Sequence, residues 1–483
     1  MAVQGVRAED WAYQSLEFFS RYGWQGDPDH VANAPFHREI YDILQYRGEA
    51  GRKFKETGML HIEAPREHAK TTIMSVKYPI WRIGRDHDIR IVVVSKTSSF
   101  ATNILREVRG NIEDNEYVRR VFPDLEADKP WGDEAFQVKR TKIMKMPTFY
   151  GVGLGGQLTG MRADLVILDD PYDLNEVQTE AQREKTENWI KSIVMNIIVP
   201  GGELVFISTR WHQDDYAGKV IGQSVENGGP WVVKVYKAIQ DDGETVLWPN
   251  RWPMERLMAR KRQVGSLIFE CQFNNDPSGF EGALFKESWL TYYDPSIMTP
   301  GFVKDLSFVM GVDPAISESP EADRTALVDV ACDRRRGDIY VVDVWADRVD
   351  FPSQVEKIVE RGRRRSIAGV PGNMKIGKIG VESVAYQKAL YSSLYREGLP
   401  VVEVKHSKRS KLERMLGLQP HFMNGRIRLP DPKVIRVNWY DKFMEEYLSY
   451  PRGRHDDILD ALEIAVEIGQ IRHGKSSMGS WVR

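Results

Sequence analysis

The sequence predicts two consecutive α/β domains. From Leu60 onward, short β-rich runs alternate with helical stretches, the order of a mainly parallel sheet flanked by helices. Between about residues 270 and 300 this periodicity fades into a stretch rich in Pro, Gly and Asp. Beyond it three strand-like runs follow one another closely, and helix and strand then alternate again. A chain of 483 residues also exceeds what one ordinary core accommodates.

Residues 9–22 and 36–47 carry helical apolar spacing and form a helical N-terminal segment. The runs LHIEA, IRIVVVS, DLVILDD and GELVFIST read as strands, separated by helices after Lys70, from Ser98 and from Thr179. IVVV and LVIL are apolar at consecutive positions, as strands covered on both faces are. The expected division is a first domain over residues 1–275, a linker over 276–300 and a second domain over 301–483. In the second domain SFVMGVDPA, TALVDVACD and DIYVVDVWA read as three strands joined by short turns. A helix near 352–364, the strand KIGVES, a helix from Tyr386 and the strand PVVEVKH follow. Three hairpin-linked strands and then alternating helix and strand is the order of ribonuclease-H-like folds.

Residues 62–72, IEAPREHAKTT, lie between a strand and a helix, where backbone N–H groups and a helix N-terminus can face an anion. Lys70 would bridge the β- and γ-phosphates, and Thr71, with Thr72 beside it, would place a hydroxyl on Mg²⁺. The G-x-x-x-x-G-K-[ST] pattern is not met, because Pro65 and Ala69 occupy the loop instead of glycines. The partner carboxylate strengthens the reading: DLVILDDP ends an apolar strand with Asp169, placed to hold the metal, and Asp170, placed to orient or deprotonate water. The glycine-rich run GVGLGGQLTGMR ends in Arg162, which could reach a phosphate, and ISTRWHQDD follows the next strand, where nucleotide state could be sensed.

The second domain carries acids at three separate element ends: Asp313 after FVMGVD, Glu382 after KIGVE, and Asp456, Asp457 and Asp460 in RHDDILDALEIAV. On a helix, either Asp456 or Asp457 shares a face with Asp460. Carboxylates this close repel unless cations screen them, and hard divalent ions with oxygen ligands suit that need. Two such ions can activate water and stabilise the leaving oxygen of a phosphodiester. Asp313 would bridge both, Glu382 and Asp457 would each complete one, and Asp323 is an auxiliary acid.

The composition, 42% hydrophobic and 28% charged with a net charge of −2, is that of a globular protein rather than a basic nucleic-acid coat. The densest basic runs, at 361–365 and 405–411, read as solvated faces as readily as contact surfaces. No apolar run approaches the length of a membrane span, the opening residues lack a signal-peptide core, and two cysteines cannot build a zinc cluster.

Taken together these motifs resemble the large terminase subunit of tailed double-stranded DNA viruses. That family pairs a Walker-A variant R-x-x-[GA]-K-[ST] with a Walker B, a coupling motif and a ribonuclease-H-like nuclease. Here Arg66, Lys70 and Thr71 stand in the first, VILDDP in the second, STRWH near the coupling position, and VDPA, GVES and HDDILDAL in the nuclease. The resemblance implies a P-loop ATPase domain followed by a ribonuclease-H-like nuclease domain. It implies that Arg66 touches the γ-phosphate and that His37 stands where the family has its adenine-side glutamine. It implies ATP with one Mg²⁺ (or Mn²⁺) at the ATPase site and two at the nuclease site. Its implied partners are double-stranded DNA, a portal protein, a small terminase subunit and further copies of the chain, as a five-membered ring on the procapsid in the host cytoplasm. The competing reading is a helicase-nuclease or transposition-type ATPase-nuclease, which would carry a second ATPase lobe; the sequence shows no such lobe.

Overall fold

The computed structural model describes residues 7–22, 24, 34–226, 228–315, 323–333, 335–364, 366, 374–382, 387–405 and 409–470. The chain forms two units, one of residues 1–259 and 269–278, the other of residues 260–268 and 279–483.

The first unit is built on an eight-stranded sheet. Its strands are β1 (Met59–Glu63), β2 (Ile91–Ser95), β3 (Ala127–Trp131), β4 (Ala135–Val138), β5 (Phe149–Gly153), β6 (Ala163–Asp169), β7 (Ile198–Ser208) and β8 (Val232–Val235). Their order is β3-β4-β5-β2-β6-β7-β1-β8. All pairings from β5 to β8 are parallel, and β3 and β4 add an antiparallel edge. Every residue of β2 is buried, as its unbroken apolar run requires. Each strand side chain so buried contributes about 1.5–3 kcal/mol relative to exposure. The parallel arrangement brings the C-terminal ends of β1, β6 and β7 to one edge, with Asp169 opposite Ile207 and Glu63 opposite Ser208.

The glycine-rich run is only partly a loop. Its first residues belong to β5, and a Cβ at Gly153 would come within 2.6 Å of the Ser98 backbone nitrogen. Glycine there lets the helix Ser98–Asp114 lie directly on the sheet.

The second unit holds a seven-stranded sheet. Its strands are β9 (Thr291–Tyr293), β10 (Leu306–Asp313), β11 (Thr325–Asp333), β12 (Ile339–Asp347), β13 (Ile376–Glu382), β14 (Val401–Val404) and β15 (Ile427–Pro430), in the order β14-β13-β10-β11-β12-β15-β9. β10, β11 and β12 are antiparallel neighbours, and β13 and β14 continue in parallel on the far side of β10. The segment 276–300, read as a linker from its Pro, Gly and Asp, instead carries the edge strand β9, paired in parallel with β15.

Of the basic run at 361–365, Arg361 faces inward while Arg363 is exposed. Arg361 is buried, pairing with Asp329 at 2.9 Å and Asp343 at 3.0 Å, and Arg364 also reaches Asp343 at 3.0 Å. Asp329 lies fully buried in β11, so Arg361 balances a charge that would otherwise be desolvated without a partner. Arg365, and residues 406–408 of the second basic run, lie outside the described residues.

Candidate phosphate site and candidate metal centre

β1 delivers the chain into residues 64–71, and the helix that follows opens with a π-type turn, Thr72–Lys77, before continuing as Tyr78–Arg85. Within the loop Glu67 and Ala69 take left-handed backbone angles, φ 60° and 64°. Ala69 thus adopts, without being glycine, the conformation a tight anion-facing turn needs, at some cost in strain. Lys70 ends on the Asp170 carboxylate at 2.9 Å, with the Ala64 carbonyl at 3.4 Å. Asp170 is itself held in a left-handed conformation, φ 41°, and accepts the Thr209 amide at 3.0 Å, which ties the end of β6 to the end of β7.

Asp169 is buried and accepts the Thr71 hydroxyl at 3.0 Å and the Ser75 hydroxyl at 2.5 Å. Burial, then the neighbouring Asp170 charge, push its carboxyl up to about 6. A buried carboxylate served only by hydroxyls and standing beside a second carboxylate is a donor set for a hard cation, so the residues fit Mg²⁺. Sequence reasoning found Thr71 and Asp169 but missed Ser75. The signal was present, since Ser75 stands one helical turn after Thr71.

Three expectations fare differently. His37 is completely buried: its Nδ1 accepts the Ala34 amide at 3.0 Å, which leaves Nε2–H to donate to the His68 carbonyl at 3.1 Å. Both ring nitrogens are therefore committed inside the fold, and the expectation that His37 contacts the base is corrected: it braces the phosphate loop from behind. Burial, the largest cause, holds its pKa down at about 3, so the ring stays neutral. Arg66 turns to Gln272, its backbone N–H meeting the Gln272 carbonyl at 2.8 Å and its Nη1 meeting Oε1 at 3.2 Å. Arg162 is exposed and donates to the Met161 carbonyl at 2.8 Å. Thr72 begins the π-type turn and is half-buried.

The run at 207–215 opens with the last two residues of β7 and closes into a loop beyond them. Asp215, fully buried, accepts the amides of Trp211 (3.1 Å), His212 (3.2 Å) and Gly218 (2.8 Å). Arg210 lies between Asp215 at 3.4 Å and Glu63 at 3.7 Å, linking this loop to the strand that feeds the phosphate loop.

In the second unit, helix Asp457–Gly469 packs on β10 with unusual closeness. A Cβ on Gly311 would stand 1.9 Å from the Ala461 carbonyl, and one on Gly380 would stand 2.6 Å from Ile464 Cγ2. These two glycines are register partners in β10 and β13, and together they form a flat strip on which the helix lies. Each stands two residues before an acid, in GVD and GVE, so the strip that seats the helix also aims Asp313 and Glu382 toward its first turn.

Asp313, Asp457 and Asp460 converge there. Burial, then the charges of Asp460 and Asp457, push Asp313 well above the ordinary carboxylate range; Glu382 adds to the effect and Lys411 opposes it. Asp457 accepts the Arg324 amide at 3.1 Å and has His455 at 3.5 Å, and burial lifts it to about 6, with Asp323 and Asp456 contributing. Asp456 stands at the N-cap position of the helix, and its side chain makes no capping hydrogen bond there. The lysine Lys411, missed as a site residue, reaches Asp456 at 2.7 Å and Asp460 at 2.6 Å, and Arg414 reaches Asp460 at 3.2 Å. Among the described residues no three acid, His or Cys side chains already stand as a metal-holding group. The acids converge, with an ammonium among them. An all-oxygen set in which the charges of Asp460 and Asp457 raise Asp313 fits hard divalent ions.

Replacing Gly311 with valine should unseat the helix. The expected loss is about 1–3 kcal/mol of stability in that unit, the usual cost of forcing atoms into a packed contact. Urea unfolding followed by tryptophan fluorescence measures it, and stability equal to the parent protein would contradict the seating argument.

Residues 310–467 match the family model described as the terminase RNaseH-like domain. The chain is similar to the large terminase subunit of Enterobacteria phage T3, 22% identical over 193 residues; the match spans 38% of this chain and 28% of that protein's length. It is also similar to the large terminase of a thermophilic bacteriophage in two crystal structures, each at TM-score 0.51 and 12% identity. One covers 88% of this chain and 97% of that one; the other, a complex with ADP, covers 90% and 98%.

Proposed function

We propose, on the premise that the second unit is a terminase ribonuclease-H-like domain and that the chain has the fold of large terminase subunits, that this protein is a DNA-packaging motor and nuclease. Its first unit hydrolyses ATP to drive double-stranded DNA into a procapsid, and its second cuts concatemeric DNA. The observation that carries the reading is the pairing, in one chain, of Lys70 against Asp170 beside a buried Asp169 with the convergence of Asp313, Asp457 and Asp460.

In the first unit Lys70 leaves Asp170 for the phosphate oxygens when nucleotide enters, which frees Asp170 to orient or deprotonate water. Asp169 and Thr71 would hold Mg²⁺, with Ser75 fixing the Asp169 carboxylate. The Asp170–Thr209 bond and the Glu63–Arg210–Asp215 chain carry the change to the loop at 207–215. Arg66 and Arg162 reach phosphate only after leaving their present contacts. In the second unit Asp313, Glu382 and Asp457 would hold two divalent ions, with Asp456 and Asp460 supplying further carboxylate oxygens. Such ions supply an activated water and stabilise the leaving oxygen. Cutting of this kind grips backbone and is weakly sequence-specific. The partners are a portal protein, a small terminase subunit and four further copies in a ring on the procapsid, in the host cytoplasm.

The test is phosphate release beside plasmid digestion, with and without Mn²⁺, on the purified chain. Both activities are expected, with cleavage lost in EDTA. Absence of both would overturn the reading, and unwinding of a blunt duplex would point to a helicase-nuclease instead.

A further inference from the structure

The basic run at 405–411 ends in a lysine whose placement is not that of a surface charge. Lys411 is the first residue of the helix Lys411–Met423, whose start is fixed by a reciprocal Ser410–Glu413 cap. The Ser410 amide meets the Glu413 carboxylate at 2.7 Å, and the Glu413 amide meets the Ser410 hydroxyl at 3.2 Å. From that turn its ammonium lies 2.7 Å from Asp456 and 2.6 Å from Asp460. Asp460 is buried and also faces Arg414 at 3.2 Å, which in turn pairs with Glu463 at 3.2 Å. Asp313 and Asp457 also lie within the field of this ammonium. Lys411 is therefore the cation that the helix start supplies to the acids of the metal centre.

We infer that Lys411 is an internal counter-ion that competes with divalent metal for the acid cluster: it holds Asp456 and Asp460 in the metal-free protein and must release carboxylate oxygens as metal binds. The inference rests on the metal-centre reading above. The physical ground is charge matching. Several carboxylates gathered at one helix start repel one another, and folding without metal needs a positive group among them. An ammonium can serve, because it is flexible, compact and held by point charge rather than by a fixed planar geometry. The same bonds that stabilise the metal-free state oppose metal entry, since a carboxylate oxygen held at 2.6 Å by Lys411 is not free to coordinate. Lys411 is thus a positioning residue, and its effect should appear in binding and stability as well as in cleavage.

The test is Mn²⁺ titration by calorimetry on the full chain and on Lys411→Met, which keeps the length and removes the charge. Lys411→Met should bind Mn²⁺ roughly tenfold more tightly, the scale of a lost charge-assisted bond. In EDTA it should unfold at a lower temperature than the parent protein, and Mn²⁺ should raise its unfolding temperature by more. Equal or weaker Mn²⁺ binding by Lys411→Met would overturn the inference. Failure of the unsubstituted chain to bind Mn²⁺ would overturn the metal centre itself, and with it this role for Lys411. Should Lys411→Met not fold, the unsubstituted protein provides the reading. Acylation of lysine amines followed by mass spectrometry should show Lys411 labelled faster with Mn²⁺ than in EDTA, relative to the other lysines. An unchanged Lys411 rate would overturn the proposal.

Discussion

Lys70→Ala is expected to lower ATP turnover by roughly 10²–10³-fold or more while leaving metal-dependent cleavage close to the parent level. Lys70 is the ammonium that meets Asp170, and it is nearly buried, so its charge acts in a medium that screens it poorly. Removing it takes away the group that neutralises charge developing on the transferred phosphoryl, and it leaves Asp170 without its partner beside the buried Asp169. Two carboxylates are then left together without an ammonium, which also weakens nucleotide binding through repulsion. The measurement is phosphate release at saturating ATP beside plasmid digestion in Mn²⁺. Equal loss of both activities would break the separation into two chemical sites, because the partners that hold Lys70, Asp170 and the Ala64 carbonyl, both belong to the first unit.

What could be read in advance follows from where the physics is local. β2 and β6 are built on the apolar runs IVVV and LVIL, buried throughout, so hydrophobic patterning alone finds them. β3 was not legible: four of its five residues, in ADKPW, are exposed, and a solvent-facing edge strand leaves no apolar signature. β9 was hidden for a related reason, since its three residues sit among Pro, Gly and Asp that signal turns. At the sites, acids at strand ends were visible because a charged residue terminating an apolar run is conspicuous. Their partners were not. Lys411 and Asp460 lie far apart in sequence, and only the seating of one helix on the Gly311–Gly380 strip brings their elements together. His37 misled because its chain position matched a base-contacting residue, whereas its burial and both its hydrogen bonds are tertiary properties.

Asp313→Asn should abolish cleavage, by about 10³-fold or more, and spare ATP hydrolysis. Asn keeps the shape and one carbonyl oxygen but loses the charge and half the coordinating capacity. At this position the charge matters more than the shape. Asp313 ends β10, which lies between β13 and β11, so its carboxylate stands near both Glu382, at the end of β13, and the helix start. The same substitution should stabilise the metal-free protein. Burial and the surrounding carboxylates hold Asp313 above its ordinary range, so the ionised form is the costly one in the folded state. A group raised in this way loses stability as pH rises past its unfolded value, and at neutral pH a neutral amide avoids that penalty. Asp313→Asn is therefore expected to unfold at a higher temperature than the parent protein in EDTA at pH 7, and to gain less from added Mn²⁺. Loss of stability together with retained cleavage would mean that Asp313 supports the fold and that the chemistry lies with other acids. Loss of cleavage with a metal-free protein made more stable is the signature of a carboxylate kept for its metal at the expense of the fold.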